Sequence, residues 1–139
     1  MQMIPIGQTA KHVNLPVKTV RYYDNIGLVT PQDHTEKGYR LYGKTEIQKL
    51  IFVKNARQFG FTIKECQELL GLYENSARNS SEVKKIASQH LDKLRTQMGQ
   101  LQNLMTELEY LSKACQDNNR PACPILDSLA VNRLVAQNP

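Results

Sequence analysis

The chain has no tryptophan, only three phenylalanines and three cysteines, and aromatics make up 6% of its residues. With so few large rings the apolar work falls to aliphatic side chains, which fits a helical protein with narrow apolar faces completed by a partner chain. Neither a signal peptide nor a membrane-length apolar run is visible, so the expectation is a reducing, cytoplasmic compartment and no membrane partner. Repeats and low-complexity tracts are also missing. A length of 139 residues allows one modest domain, or a small domain with appended helices, and excludes a second large core. The net charge of +5 is spread out: ten Lys/Arg against seven Asp/Glu through Asn75, then eight against six. That balance permits nucleic-acid binding without demonstrating it.

Cys115 and Cys123 flank the polar stretch Gln116-Asp117-Asn118-Asn119-Arg120-Pro121-Ala122. Its turn-forming residues predict a loop that closes on itself between a long helix and a short one. Two sulfurs with no histidine or carboxylate placed between them suit a soft, low-coordinate metal, ideally a monovalent d10 ion held linearly. A structural disulfide and a pair of unrelated buried thiols are the two alternatives. Pro124 suits the first turn of the short helix, with Ile125, Leu129 and Asn132 on one side. That helix's first N–H groups would then favour a thiolate at Cys123. His12, His34 and His90 have no partner at metal-ligand spacing and are taken as ordinary side chains.

Earlier in the chain, Ile6, Ala10 and Val13 mark one face of a short helix. Asn14-Leu15-Pro16 breaks it, and Pro16 is expected at the first position of a second helix that stops at Gly27. Two short helices with a tight turn predict a helix-turn-helix. On the second helix Val20, Tyr23 and Ile26 face inward, leaving Lys18, Thr19, Arg21 and Tyr22 on or near the exposed side. Arginine forks onto a guanine edge or a phosphate, and tyrosine offers a hydroxyl and a flat face. The competing reading of this surface is a solvated basic face.

Leu28 to Pro31 reads as an extended piece, and Tyr39-Arg40-Leu41-Tyr42 as its partner in a small hairpin wing. Gly43 serves as a hinge, and Thr45 is expected to cap a helix carrying Ile47, Leu50, Ile51 and Val53. Thr62 and Glu65 form a capping box for a helix ending near Asn75. Cys66, between Ile63 and Leu69, reads as a core thiol. From Ser80 a long helix follows, with the heptad positions Ala87, Leu91, Leu94, Met98, Leu101, Met105 and Leu108 widened by Val83, Leu104 and Leu111. Roughly thirty residues make a rod of about 45 Å. The head alone cannot cover it, so a homodimer is expected. Gly99 is its interior weak point.

The run Thr19 to Val29, with Gly38-Tyr39-Arg40-Leu41-Tyr42 and Ala56-Arg57-Gln58-Phe59-Gly60-Phe61, resembles the MerR family of transcription regulators over essentially the whole chain. Cys115-x7-Cys123-Pro124-Ile125 is similar to its copper-efflux subgroup, which senses Cu(I), Ag(I) and Au(I). The resemblance implies a mainly α protein and a regulator, not an enzyme. It implies a winged helix-turn-helix head over 1–76, with the helix-turn-helix at about 6–26, the wing at about 28–42 and further helices at about 44–75. A long antiparallel coiled-coil dimer helix over 80–113 follows, then a metal-binding loop and short helix over 114–139.

Lys18, Thr19, Arg21, Tyr22, Tyr39, Arg40 and Arg57 would contact promoter DNA, and Cys115 and Cys123 would hold one ion per subunit. Ser80 would stand where Zn(II)-type relatives carry a third thiol, and Lys84, one turn on, would help neutralise the anionic sulfur–metal unit. RNA polymerase would be reached through the shared promoter, by metal-induced distortion of the DNA. Pro16 departs from the Ser/Thr usual at the start of the recognition helix, and the tail Val131 to Pro139 lacks the Cys/His cluster of some copper relatives.

Overall fold

A computed structural model describes residues 2–115 and 123–131, so the loop residues Asp117, Asn118, Asn119 and Pro121, and the tail from Asn132, lie outside the described residues. The chain divides into two compact units, Met1–Ser88 and Gln89–Pro139.

The first unit opens with strand β1 (Ile4–Pro5) and helix α1 (Ile6–Val13). Ala10 and Val13 are buried and Ile6 partly so, as their spacing predicts. Thr9, which has no exposure, donates from its hydroxyl to the Pro5 carbonyl at 3.0 Å, so its burial leaves no orphaned polar group. Asn14 ends α1 in the left-handed region (φ 57°), which asparagine tolerates. Helix α2 (Val17–Asn25) follows, and here the expectation for Pro16 is corrected: it is the N-cap, one residue before the helix. Its fixed φ of −62° and extended ψ let its carbonyl accept from Thr19 and Val20 N–H, so the backbone starts the helix without a hydroxyl cap. Gly27, at φ 74°, turns the chain out of α2.

Strands β2 (Asp33–His34) and β3 (Arg40–Tyr42) form the wing. The predicted extended piece at Leu28 to Pro31 is not a strand. Leu28 and Val29 are spent as core residues in the turn after α2, and pairing begins only at Asp33. β3 pairs antiparallel with β2 on one side and, unforeseen, with β1 on the other, in the order β1-β3-β2. At the tip, Thr35 N–H donates to the Tyr39 carbonyl while Tyr39 N–H donates to the Thr35 hydroxyl. Gly38, at φ 87°, makes the reversal.

Helix α3 (Lys44–Gln58) begins one residue after Gly43, which is the N-cap in place of Thr45. Glu46 Oε1 accepts the Gly43 N–H at 3.0 Å. Gly43 has ordinary extended angles, so it works here as a cap and not as a hinge. Helix α4 (Ile63–Glu74) has the capping box its sequence predicts. Thr62 Oγ1 accepts from Glu65 N–H at 3.1 Å, and Glu65 Oε1 accepts from Thr62 N–H at 2.9 Å. The core joins Val20 and Tyr23 of α2, Tyr42 of β3, Leu50 and Val53 of α3, and Cys66 and Leu70 of α4. Cys66 is therefore the core thiol that its spacing predicts.

Helix α5 (Ser80–Ala114) runs 35 residues, roughly 52 Å, slightly longer than expected. Its partly or fully covered positions near the start are Val83, Ile86 and His90, whereas Ala87 is exposed. In the second unit Leu91, Leu94, Met98, Leu101, Met105 and Leu108 are all exposed, Leu101 at 61%. Helix α6 (Pro124–Leu129) starts with proline in its first turn. Leu104, Leu108 and Leu111 of α5 and Leu129 of α6 line a groove of about 280 Å³. Among the described residues no helix is long and apolar enough to cross a membrane.

The capping box gives a direct test of the head. Thr62→Ala removes one of two reciprocal bonds and should lower stability by about 1 kcal/mol, read as a lower urea midpoint with unchanged slope at fixed chain concentration.

Candidate functional site

Helix α2 is amphipathic in a simple way: Val20 and Tyr23 go into the core, and their removal from water fixes which way the rest point. Lys18, Arg21 and Tyr22 are exposed, with Tyr22 half exposed and its ring 6.0 Å from that of Tyr23; Thr19 is partly covered. Tyr39 stands exposed beside the wing turn. These residues form a surface of cations, hydroxyls and flat faces on a rigid backing, the chemistry that contacts phosphate and base edges.

Two of the basic residues expected on that surface are engaged within the protein. The Arg40 guanidinium donates through Nε to the Asp24 carboxylate and through Nη2 to Asn25 Oδ1 at 3.3 Å. Arg57 Nη1 donates to the Phe61 carbonyl at 2.7 Å, pinning the corner between α3 and α4. Burial raises the Tyr23 hydroxyl above the ordinary tyrosine range, and Arg57, which hydrogen-bonds it, pulls the other way. Lys54 Nζ donates to the Val13 carbonyl at 3.1 Å, at the C-terminal end of α1, where a cation offsets the exposed carbonyls. Sequence reasoning did not assign Asp24, Asn25 or Lys54 a role, because their partners lie on other elements. Burial pushes the Tyr42 hydroxyl up to about 12, helped by the Asp24 carboxylate and opposed by Arg40 and Arg21. Asp24, Arg40, Arg21 and Tyr42 therefore form one electrostatic neighbourhood.

The second candidate site is in the second unit. Cys115 directly follows α5, its N–H bonded to the Leu111 carbonyl at 2.9 Å, and Cys123 is the N-cap of α6. Their sulfurs are 3.4 Å apart, both partly covered, and both cysteines are free thiols. The Cys123 thiol is held below the ordinary cysteine range, first by the Leu126 backbone N–H and then by the hydrogen bond with Cys115. The Ile125 N–H adds to this, while desolvation and the Asp127 carboxylate work against it. Cys66 is the opposite case: burial pushes its thiol up. No cluster of three or more His, Cys, Asp or Glu with metal-holding geometry occurs among the described residues, so the pair offers two sulfurs and no third ligand of that kind. Ser80 and Lys84 are exposed in the first turns of α5, in the first unit.

Comparison with known proteins places both features in context. A family model described as MerR HTH family regulatory protein matches residues 4–72, and one described as MerR, DNA binding matches residues 47–111. The chain is 42% identical over 125 residues to the HTH-type transcriptional regulator HmrR of Rhizobium leguminosarum bv. viciae, covering 90% of this chain and 96% of that one. It is 34% identical over 125 residues to the HTH-type transcriptional regulator CueR of Salmonella typhimurium, covering 90% and 91%. Among solved structures it is similar to the transcription regulator PbrR691 from Ralstonia metallidurans in complex with lead(II). That match has a TM-score of 0.80 at 32% identity, covering 92% of this chain and 100% of that chain.

The contrast between the thiols is measurable. In the folded protein iodoacetamide should modify Cys123 and leave Cys66 unmodified until denaturant is added. A lowered pKa keeps thiolate present as pH falls, so the Cys123 rate should persist to lower pH than that of a free cysteine peptide. Mass spectrometry of peptides alkylated across a pH series reads both.

Proposed function

The chain belongs to the MerR family of DNA-binding transcription regulators, and from that premise we propose that it is a Cu(I)-responsive activator that also answers Ag(I) and Au(I). It works as a homodimer in the cytoplasm, binding a promoter palindrome through α2 and the wing and acting on genes for metal efflux or detoxification. The observation that carries this reading is the pair of free thiols 3.4 Å apart, supported by similarity to a regulator named CueR.

The donor set fits such an ion. Two thiolates and no carboxylate or imidazole cluster among the described residues favour a soft monovalent metal over a hard or higher-coordinate one. The two sulfurs, 3.4 Å apart, are close enough together that a single ion would be held by both. Cys115 and Cys123 would hold the ion, which when bound supplies positive charge and two bonds that fix the sulfurs relative to each other. The residues do the rest. The Leu126 and Ile125 N–H groups favour thiolate at Cys123, and the end of α5 and start of α6 carry any change in sulfur separation into helix position. In the proposed dimer the helix start of the other subunit would supply Ser80 and Lys84: a hydroxyl where a third thiol would recruit a divalent ion, and a cation that would offset the negative charge.

Lys18, Thr19, Arg21, Tyr22 and Tyr39 meet the DNA, and the exposed stripe from Leu91 to Leu108 pairs with a second copy. The dimer occupies its site in both metal states and distorts the DNA only when loaded, so that RNA polymerase engages the realigned promoter. Bending and untwisting a site costs on the order of 1–6 kcal/mol, and the ion must prefer the distorting shape by a comparable amount.

Two specific observations favour narrower alternatives. The 3.4 Å gap is a small movement from a disulfide of about 2.05 Å, which would make the pair an oxidant switch. Similarity to a regulator solved with lead(II) favours a divalent ion.

Cys115→Ser and Cys123→Ser should each abolish transcription induced by buffered Cu(I) while leaving operator binding, by fluorescence anisotropy, within a few-fold of the parent. Copper-dependent promoter opening, by permanganate footprinting, in either variant would place the sensing site elsewhere. Induction by oxidant under strict chelation of copper would favour the switch. Ser80→Cys should broaden the reporter response toward Zn(II), since a third thiolate suits a divalent ion; an unchanged zinc response would remove Ser80 from the selectivity argument.

A further inference from the structure

We infer that Arg40 is a positioning residue, which locks the wing to the last turn of the recognition helix through Asp24 and Asn25 and so sets the spacing at which the two meet DNA. The inference rests on the reading that α2 and the wing face DNA.

Arg40 and Tyr42 lie on the same face of β3, two residues apart. Tyr42 is fully buried in the cluster that also holds Val20 and Tyr23 of α2. Arg40 extends this contact to the end of the helix by two bonds to adjacent residues, Nε to Asp24 and Nη2 to Asn25. Two donors from one planar group fix direction as well as distance, which a single bond from lysine does not. Asp24 explains why a cation is needed there. A carboxylate in the last turn of a helix faces the negative end of its dipole, and α2 has no basic residue in its own last turn. The wing supplies one. The side chains of the pair are only 27% and 20% exposed, so water competes with them less than at a fully open surface pair. A guanidinium already matched to a carboxylate brings little net charge to a phosphate, so Arg40 contributes to binding through geometry and not through counterion release.

The test uses the full chain and a duplex carrying the gene's own upstream region, with affinity measured across a salt series. Asp24→Asn and Arg40→Gln should each weaken binding roughly tenfold, as loss of a charge-assisted hydrogen bond does. The double variant should be no weaker than either single one. The slope of log affinity against log salt should stay at the parent value in Arg40→Gln and in the double variant, whereas Asp24→Asn, which leaves the Arg40 charge unmatched, should not make it shallower. Arg40→Lys should recover only part of the loss. Thermal melts identify any variant that has unfolded, and Asp24→Glu, which keeps the charge but moves the carboxylate, then takes its place with an intermediate weakening expected.

Unchanged or tighter binding by Asp24→Asn, or a slope reduced by about one in Arg40→Gln, would overturn the inference and make Arg40 a direct phosphate contact. Tyr39→Ala separates the two levels of failure. Weakened binding there with normal Asp24 and Arg40 variants overturns the lock alone, and normal binding by all of them overturns the premise that the wing meets DNA.

Discussion

The burial of Val20, Tyr42, Leu50 and Val53 in one cluster with no solvent exposure is the constraint on which the head depends. These four come from α2, β3 and α3, so none of the three elements keeps its apolar face dry without the other two. Each such side chain contributes about 1.5–3 kcal/mol on burial, far more than the polar contacts at the surface. With its inner face fixed this way, α2 has no rotational freedom, and Lys18, Arg21 and Tyr22 are exposed as a consequence of packing. A reading surface needs that rigidity, because base-edge hydrogen bonds lose most of their value with small misplacement.

The thiol pair is built on the opposite principle. Its sulfurs sit at the end of one helix and the cap of another, where backbone N–H groups and not packed side chains set the chemistry. Among the described residues α6 contributes no buried side chain, so the Cys123 end of the pair is not held by a packed core. The long α5 is stiff by contrast, a continuous hydrogen-bonded rod from Ser80 to Ala114. On the proposed function, a pair at the end of a stiff element would turn a local bond change into a displacement.

How much of this was legible depended on whether a feature is local. The helices, the Thr62–Glu65 box, the core thiol Cys66 and the turn at Gly27 follow from periodicity and capping within a few residues, and the structure has them. The strand expected at Leu28 to Pro31 failed because a short apolar extended run is also what a buried turn looks like, and the head needed Leu28 and Val29 for its core. β1 was missed because two residues carry no period. Thr45 lost to Gly43 because Glu46 caps the backbone of position 43, an arrangement in which the N-cap needs no side chain. At the start of α5 the covered positions are Val83, Ile86 and His90, and the predicted heptad set from Ala87 to Leu108 is exposed, as a face meant for a second copy would be. The closeness of Cys115 to Cys123 was readable from the turn-rich residues between them, but the N–H groups that lower Cys123 depend on the cap geometry of α6.

The same division between local and non-local explains the charges. Composition counts ten Lys/Arg through Asn75 and treats them alike, yet Arg40, Lys49, Lys54 and Arg57 are tied to Asp24, Glu74, the Val13 carbonyl and the Phe61 carbonyl. Arg40 and Lys49 are thereby matched to carboxylates, whereas Lys54 and Arg57 hold neutral carbonyls and keep their positive charge. Under the proposed DNA-facing arrangement the electrostatic pull would come chiefly from the exposed Lys18 and Arg21 of α2. Since each phosphate neutralised contributes about 0.9 to the salt slope, and Arg40 and Lys49 are matched to carboxylates, that arrangement would give a shallower salt dependence than composition suggests. On the proposed mechanism, in which the dimer stays on its promoter in both metal states, affinity would rest on the fixed shape of the head and the switch would act on the shape of the DNA.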